Sequence, residues 1–298
     1  MTRLTAPTAL TALTALTFTL LTGACGDRKE GGAGSSVDGK VTLRYHPSAG
    51  AVHRYALDQI NKMTMEAGPM AGMGEQRLTL QMRFTQKVTG PVPGGIEVKV
   101  TFDSTRMEAP GVSPEMMARE LDQLRGLVST VLFDERAQVV RSTMGSAPNV
   151  APELASQMAT GVKAMAFALP EHPVGPGDSW TVATDLPLGQ LPGAARAGAS
   201  RTTLTVKEIR VAGTDTTVLL DVETMFPGDP IPLTIAGQPA TLRLSGSLAG
   251  NQLFSLTRGV VVSGTMKGTM KMKVTGGPLG RQEMVLSTAS ETSLRLAP

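Results

Sequence analysis

Apolar and polar side chains alternate from Leu78 to Phe84: Leu78, Leu80, Met82 and Phe84 are apolar, and Thr79, Gln81 and Arg83 separate them. The same alternation runs from Ile96 to Phe102, with "TGPVPGG" in between. A period of two on both sides of a glycine- and proline-rich turn predicts a β-hairpin with one wet face and one buried face. The longest run spans Val262 to Val274. Val262, Gly264, Met266, Gly268, Met270, Met272 and Val274 share one parity, and Ser263, Thr265, Lys267, Thr269, Lys271 and Lys273 share the other. After "TGGPLG", Met284, Leu286, Leu294 and Leu296 again share a parity. Each such arm is about 40 Å long at roughly 3.3 Å per residue, a length usual in large curved sheets and barrels. "VTLRYHP" from Val41 and "RYALDQINKMTME" from Arg54 read as earlier strands, the second with a phase slip near Ile60 that predicts a bulge.

Two segments carry helical spacing instead. "SPEMMARELDQLRGL" offers Ser113 as N-cap, Pro114 at the first helical position and a stripe of Met117, Leu121 and Leu124. "APELASQMATGVKAMAFALP" places Leu154, Met158, Val162, Met165 and Leu169 on one face and stops at Pro170. The predicted fold is mainly β (α+β): a long curved antiparallel sheet or open half-barrel with two amphipathic helices packed on it. The halves also resemble each other. "LFDERAQVVRSTM" from Leu132 aligns with "LFSLTRGVVVSGTM" from Leu253, and "QKVTGPVPGGIEVKVTFDSTRM" with "KEIRVAGTDTTVLLDVETMF". Two duplicated β units are one reading, 41–148 and 170–298 joined by a helix at 152–169; shared strand composition is the other.

The N-terminus has a different character. Residues 1–24 hold a single charge, Arg3, followed by an apolar, threonine-rich run and small residues, the parts of a secretory signal. The only cysteine, Cys25, stands where that run ends, and "GDRKEGGAGSSVDGK" follows as a polar, flexible tether over 25–40. The stretch "LTGAC", Leu21 to Cys25, resembles the lipobox of bacterial lipoproteins, with Thr22 where leucine is most often found. The resemblance implies cleavage before Cys25, a diacylglycerol on its sulfur and an acyl group on its new amine. At about 0.8 kcal/mol per buried methylene, such chains form a near-permanent membrane anchor. It places the protein in the cell envelope, on the outer membrane facing the periplasm or on the outer surface. "FALPEHPVGPGDSW", Phe167 to Trp180, is similar to a pattern in β-rich envelope lipoproteins known only as a domain of unknown function. That likeness implies no chemistry; it makes Gly177 and Asp178 a turn and Trp180 a core plug.

Composition narrows the function. The net charge is +3, one unit of it from Arg3 in the leader, so there is no footprint for nucleic acid. Aromatic residues make up only 3% and methionines number 17, so Leu, Val and deformable Met must fill the core. Of the three histidines, His46, His53 and His172, the first two could be neighbours across a hairpin but lack a nearby third ligand, so no metal is assigned, and no cofactor motif occurs. Ser179 lacks the flanking glycine of a nucleophile elbow, and the carboxylates are dispersed, so no catalytic residue is assigned and the chain is read as a non-enzyme. Lys267, Lys271 and Lys273 form a stripe that reads as a solvated strand face, or else as a surface for anionic headgroups or polysaccharide. Opposite them, Gly264, Met266, Gly268, Met270 and Met272 are candidate ligand-facing residues, because glycine leaves space and methionine adapts; close docking of a helix explains the same pattern. The expected function is a membrane-anchored binding or carrier module for a hydrophobic ligand. The alternative is an interaction lipoprotein that docks to another envelope component without a ligand.

Overall fold

The computed structural model describes residues 35–36, 39–69, 71–145, 168–186 and 199–297. They form one antiparallel sheet of twelve strands: β1 (Ser35–Ser36), β2 (Val52–Ala67), β3 (Glu75–Val92), β4 (Gly95–Glu108), β5 (Val128–Phe133), β6 (Val139–Met144), β7 (Ser179–Asp185), β8 (Ala199–Ala212), β9 (Asp215–Ile235), β10 (Gln238–Ser255), β11 (Val260–Gly276) and β12 (Glu283–Leu296). The spatial order is β1-β8-β9-β10-β11-β12-β2-β3-β4-β5-β6, with β7 beside the other part of β8. Two meanders, β2 to β6 and β8 to β12, are thus joined edge to edge by β12 and β2, and a single sheet crosses both stretches that resemble each other in sequence.

The sheet is open but strongly curled. β7 and β6 lie at opposite edges, so a flat sheet would hold them about 48 Å apart at roughly 4.8 Å per strand. Yet Trp180 in β7 donates its Nε1–H to the Ala168 carbonyl at 2.8 Å, and Arg136 in the β5–β6 turn donates from Nε to the Leu169 carbonyl, also at 2.8 Å. Consecutive residues therefore tie the two edges together. Arg44 adds bonds to the Pro170 and Glu171 carbonyls at 2.9 Å, and Val41 bridges Val174. These contacts close the lower end, where β2 begins and the β3–β4, β5–β6 and β10–β11 turns lie. The expected strand at Val41–Pro47 is instead this crossing segment: beyond the single bridge, its backbone bonds go to Glu135 and Gly259 in two different turns.

The predicted hairpins β3–β4 and β11–β12 form with the expected faces inward. β2 differs. Its register with β3 is unbroken from Val52–Lys87 to Thr64–Glu75, so there is no bulge against β3 near Ile60. Tyr55, Leu57, Gln59 and Asn61 all point to the buried side. The apparent slip arises because two amides occupy inward positions where apolar side chains are usual.

Among the described residues there is one α-helix, α1 (Pro114–Asp122). Ser113 caps it as expected, its Oγ accepting from the Met116 N–H at 3.1 Å. Met117 and Leu121 are half-buried, and Leu124, just past the helix, is buried. Of the two expected amphipathic helices, α1 is the one found among the described residues. The second, 152–169, lies mostly outside the described residues, and Ala168 and Leu169, which close it in sequence, are buried and non-helical. Of the expected tether 25–40, Ser35 and Ser36 pair with Val211 and Arg210 of β8, and Lys40 forms an ion pair with Asp178 at 3.1 Å; Cys25 lies outside the described residues.

Candidate functional site

The inner face of the sheet is layered, and register decides the layers. Near the lower end Leu57, Leu294, Gly264, Gln252, Leu220 and Val206 lie abreast on six neighbouring strands. Two steps higher, Asn61, Ser290, Gly268, Leu248, Thr224 and Thr202 lie abreast, a row in which only Leu248 carries a large apolar side chain. Above it come Met63, Thr288 and Met270, then Met65, Leu286 and Met272. Met63, Met65, Met270 and Met284 are half-buried, whereas Leu57, Leu220 and Phe254 below are sealed. These four methionines therefore line a part of the inner face that solvent still reaches, whereas Met266 and Met272, two of the expected ligand-facing residues, are buried.

Beneath those methionines sits a pair of amides. Gln59 and Asn61 are 5% and 2% exposed, and the Gln59 Nε2 donates to Asn61 Oδ1 at 3.4 Å. Among the described residues two buried side-chain polar atoms lack a hydrogen-bond partner, Asn61 Nδ2 and Thr105 Oγ1. Both lie on the inner face, Thr105 directly across from Met82 of β3. Leaving such a group unpaired costs about 1–3 kcal/mol, so two on one face call for a reason. No Lys, Arg, Asp or Glu has inward parity on β2, β10, β11 or β12.

The five candidates Gly264, Met266, Gly268, Met270 and Met272 share this inner face, but their glycines differ. A Cβ on Gly264 would meet nothing closer than 3.4 Å, whereas one on Gly268 would come within 2.0 Å of the Ser247 carbonyl oxygen in β10. Gly250 and Gly246, on β10 facing Met266 and Met270, are equally tight against β11. Glycine at 268 thus permits the close approach of two strands; the empty space at its Cβ position belongs to the neighbouring backbone.

The remaining candidates do not converge. Lys267, Lys271 and Lys273 on the outer face pair with Glu291 at 2.7 Å, Glu66 at 2.7 Å and Glu283 at 2.5 Å, so the stripe is matched by carboxylates on β12 and β2. His46 and His53 both approach the β10–β11 turn: the His46 N–H donates to the Gly259 carbonyl, and burial followed by Arg258 holds the His53 imidazole below its ordinary pKa. His172 is exposed in the stretch between Leu169 and Val174. No group of three or more His, Cys, Asp or Glu side chains placed to hold a metal occurs among the described residues. Tyr55 donates to the Val261 carbonyl at 2.9 Å and stacks on Phe84 at 5.3 Å; burial pushes its hydroxyl pKa up, so it stays a donor. Reasoning from single strands missed Gln59, Asn61 and Thr105. The available signal was the broken alternation at Gln59 and Asn61.

No family model and no curated protein matches the chain. A solved structure described as "Lipid-protein interactions in lipovitellin" is similar at a TM-score of 0.47 with 11% identity, covering 84% of this chain and 25% of that one. The chain thus spans about a quarter of the length of that protein, and the likeness is too coarse to place a site.

Proposed function

We propose that this protein is a lipid-anchored envelope protein that holds a hydrophobic ligand against the inner face of its sheet and catalyses no reaction. The observation that carries the reading is the inner face itself. It is uncharged on four adjacent strands, it ends in half-exposed methionines, and it keeps two buried polar atoms unpartnered. A wall built only for stability has no use for unpaired donors, while a wall that receives a ligand does. Methionine suits it, because its flexible thioether repacks around chains of different shape. The anchor rests on Cys25 in "LTGAC". Nine residues lie between it and Ser35, ten Cα–Cα steps with a reach of at most about 35 Å, and Ser35 pairs at the lower end of β8. The methionine-lined part lies at the other end of the strands.

The test is to expose the secreted Cys25→Ser chain to a total envelope lipid extract, repurify it and weigh it by native mass spectrometry. A bound lipid mass that survives repurification is expected. A chain that emerges bare removes the carrier reading and leaves an interaction lipoprotein that docks to another envelope component.

A further inference from the structure

The inner face discriminates more finely than a hydrophobic wall. Asn61 is 2% exposed, and its Nδ2 is a donor without an acceptor among the described residues. Its Oδ1 is already engaged by Gln59, which fixes the amide so that Nδ2 is the end left over. The cross-strand neighbour of Asn61 on β12 is the half-buried Ser290, whose own neighbour on β11 is Gly268, so no large side chain stands beside Asn61 on that side. Leu248 of β10 lies against Gly268, its Cδ2 2.9 Å from where a Cβ would stand, and half-exposed Met63 and Met270 occupy the next row above. An entering molecule would therefore meet methionine first and an amide donor next.

The charge pattern restricts what that molecule can be. With no Lys or Arg of inward parity on β2, β10, β11 or β12, a carboxylate or phosphate drawn to Asn61 would be desolvated without a counter-cation, which is strongly unfavourable. A pure hydrocarbon would leave Nδ2 unpaired. An uncharged carbonyl satisfies both conditions. We infer that Asn61 is a specificity residue that donates a hydrogen bond to the ester or amide carbonyl of an uncharged acyl lipid, so that the protein selects neutral acyl esters over free fatty acids. This rests on the carrier reading above and adds the ligand class to it.

Three probes with one fluorophore test it on the secreted Cys25→Ser chain: pyrenyldecanoic acid, its methyl ester and decylpyrene. At pH 7.5 the ester should bind at least tenfold tighter than the acid, and the gap should narrow as the pH falls and the acid becomes protonated. Asn61→Leu should weaken the ester about five- to tenfold, the worth of one buried hydrogen bond, and leave decylpyrene unchanged. The melting temperature of the empty Asn61→Leu protein should not fall, because an unpaired group has been removed; if leucine overfills the site, Asn61→Ala makes the same comparison. Equal binding of all three probes, unmoved by the substitution, would mean that water satisfies Asn61, and would overturn this inference while leaving a carrier. Tightest binding of the acid would overturn it as well. If none of the probes binds, the carrier reading falls and the inference falls with it.

Discussion

Gly50 and Gly177 form the same hydrogen-bonded corner at two places in the sheet. The Gly50 N–H donates to the Val88 carbonyl at 2.9 Å, and the Val88 N–H returns a bond to the Ala51 carbonyl at 2.9 Å. The Gly177 N–H donates to the Val206 carbonyl at 2.8 Å, and the Val206 N–H returns a bond to the Asp178 carbonyl at 2.9 Å. Just beyond each corner the register shifts, between Val88 and Gly90 against β4 and between Val206 and Glu208 against β9. The φ angles are +79° and +88°, and neither missing Cβ has a neighbour within 4 Å. A side chain there meets only left-handed backbone strain. Gly50→Ala and Gly177→Ala should therefore each cost about 1–2 kcal/mol, and by equal amounts. Urea midpoints of the two variants check this; a wide gap between them would show that the corners are not equivalent.

Gly268 and Gly264 differ in a way that alternation alone cannot reveal. A Cβ on Gly268 runs into β10 backbone, which cannot swing aside as a side chain can, whereas one on Gly264 makes an ordinary contact. Gly268→Ala should cost about 1–3 kcal/mol, in the range of overpacking, and Gly264→Ala should be near neutral. Calorimetry should show the Gly268→Ala melting temperature several degrees below the other. Equal melting temperatures would mean that β10 and β11 can part at little expense.

The hairpins, the inward parity of β3, β4, β11 and β12 and the Ser113 cap were legible because each is a local pattern within one or two segments. Leu132–Phe133 and Leu253–Phe254 both carry a register shift in their strands, against β6 and β11 respectively. The polar row was not legible. Asn61, Ser290, Gly268, Thr224 and Thr202 come from five strands far apart in sequence, and only the pairing of β8 to β12 and β2 brings them abreast. Alternation within a strand says which face a residue takes, but nothing about its height relative to a neighbouring strand. The crossing segment Val41–Pro47 was misread for a related reason: it has the composition of a strand but spans separate turns.

The Asp178 carboxylate makes stability pH-dependent at the lower end. It accepts the Gly175 N–H at 3.0 Å and pairs with Lys40 at 3.1 Å, and these two, the backbone bond first, hold its pKa below the ordinary 3.8. A depressed folded pKa stabilises the fold at pH values above the unfolded pKa, and that contribution disappears as the pH falls through the folded one. The melting temperature of Asp178→Asn should thus lie below wild type by a constant margin from neutral pH down to about pH 5, and the margin should shrink below pH 4. A margin that stays constant down to pH 2.5 would mean that the carboxylate charge contributes nothing.

Trp180 is half-buried rather than the sealed core plug its sequence context predicts. It lies opposite Leu204 in β8, and its Nε1–H reaches the Ala168 carbonyl at 2.8 Å, one residue before the carbonyl that Arg136 binds from the far edge. The ring therefore contributes packing and also one of the bonds that hold the two edges together. Trp180→Phe keeps most of the packing and leaves the Ala168 carbonyl without this donor, which should cost about 1 kcal/mol. Trp180→Ala removes both and should cost about 2–3 kcal/mol, below the 3–5 typical of a fully buried ring. Because this is the only tryptophan, unfolding of the variants is followed by far-ultraviolet circular dichroism in urea. In the wild type, acrylamide should quench the native fluorescence partially. Equal midpoints for Trp180→Phe and Trp180→Ala would assign the whole contribution to the hydrogen bond; a wild-type midpoint for Trp180→Phe would assign it to packing and release the Ala168 carbonyl from any part in closing the sheet.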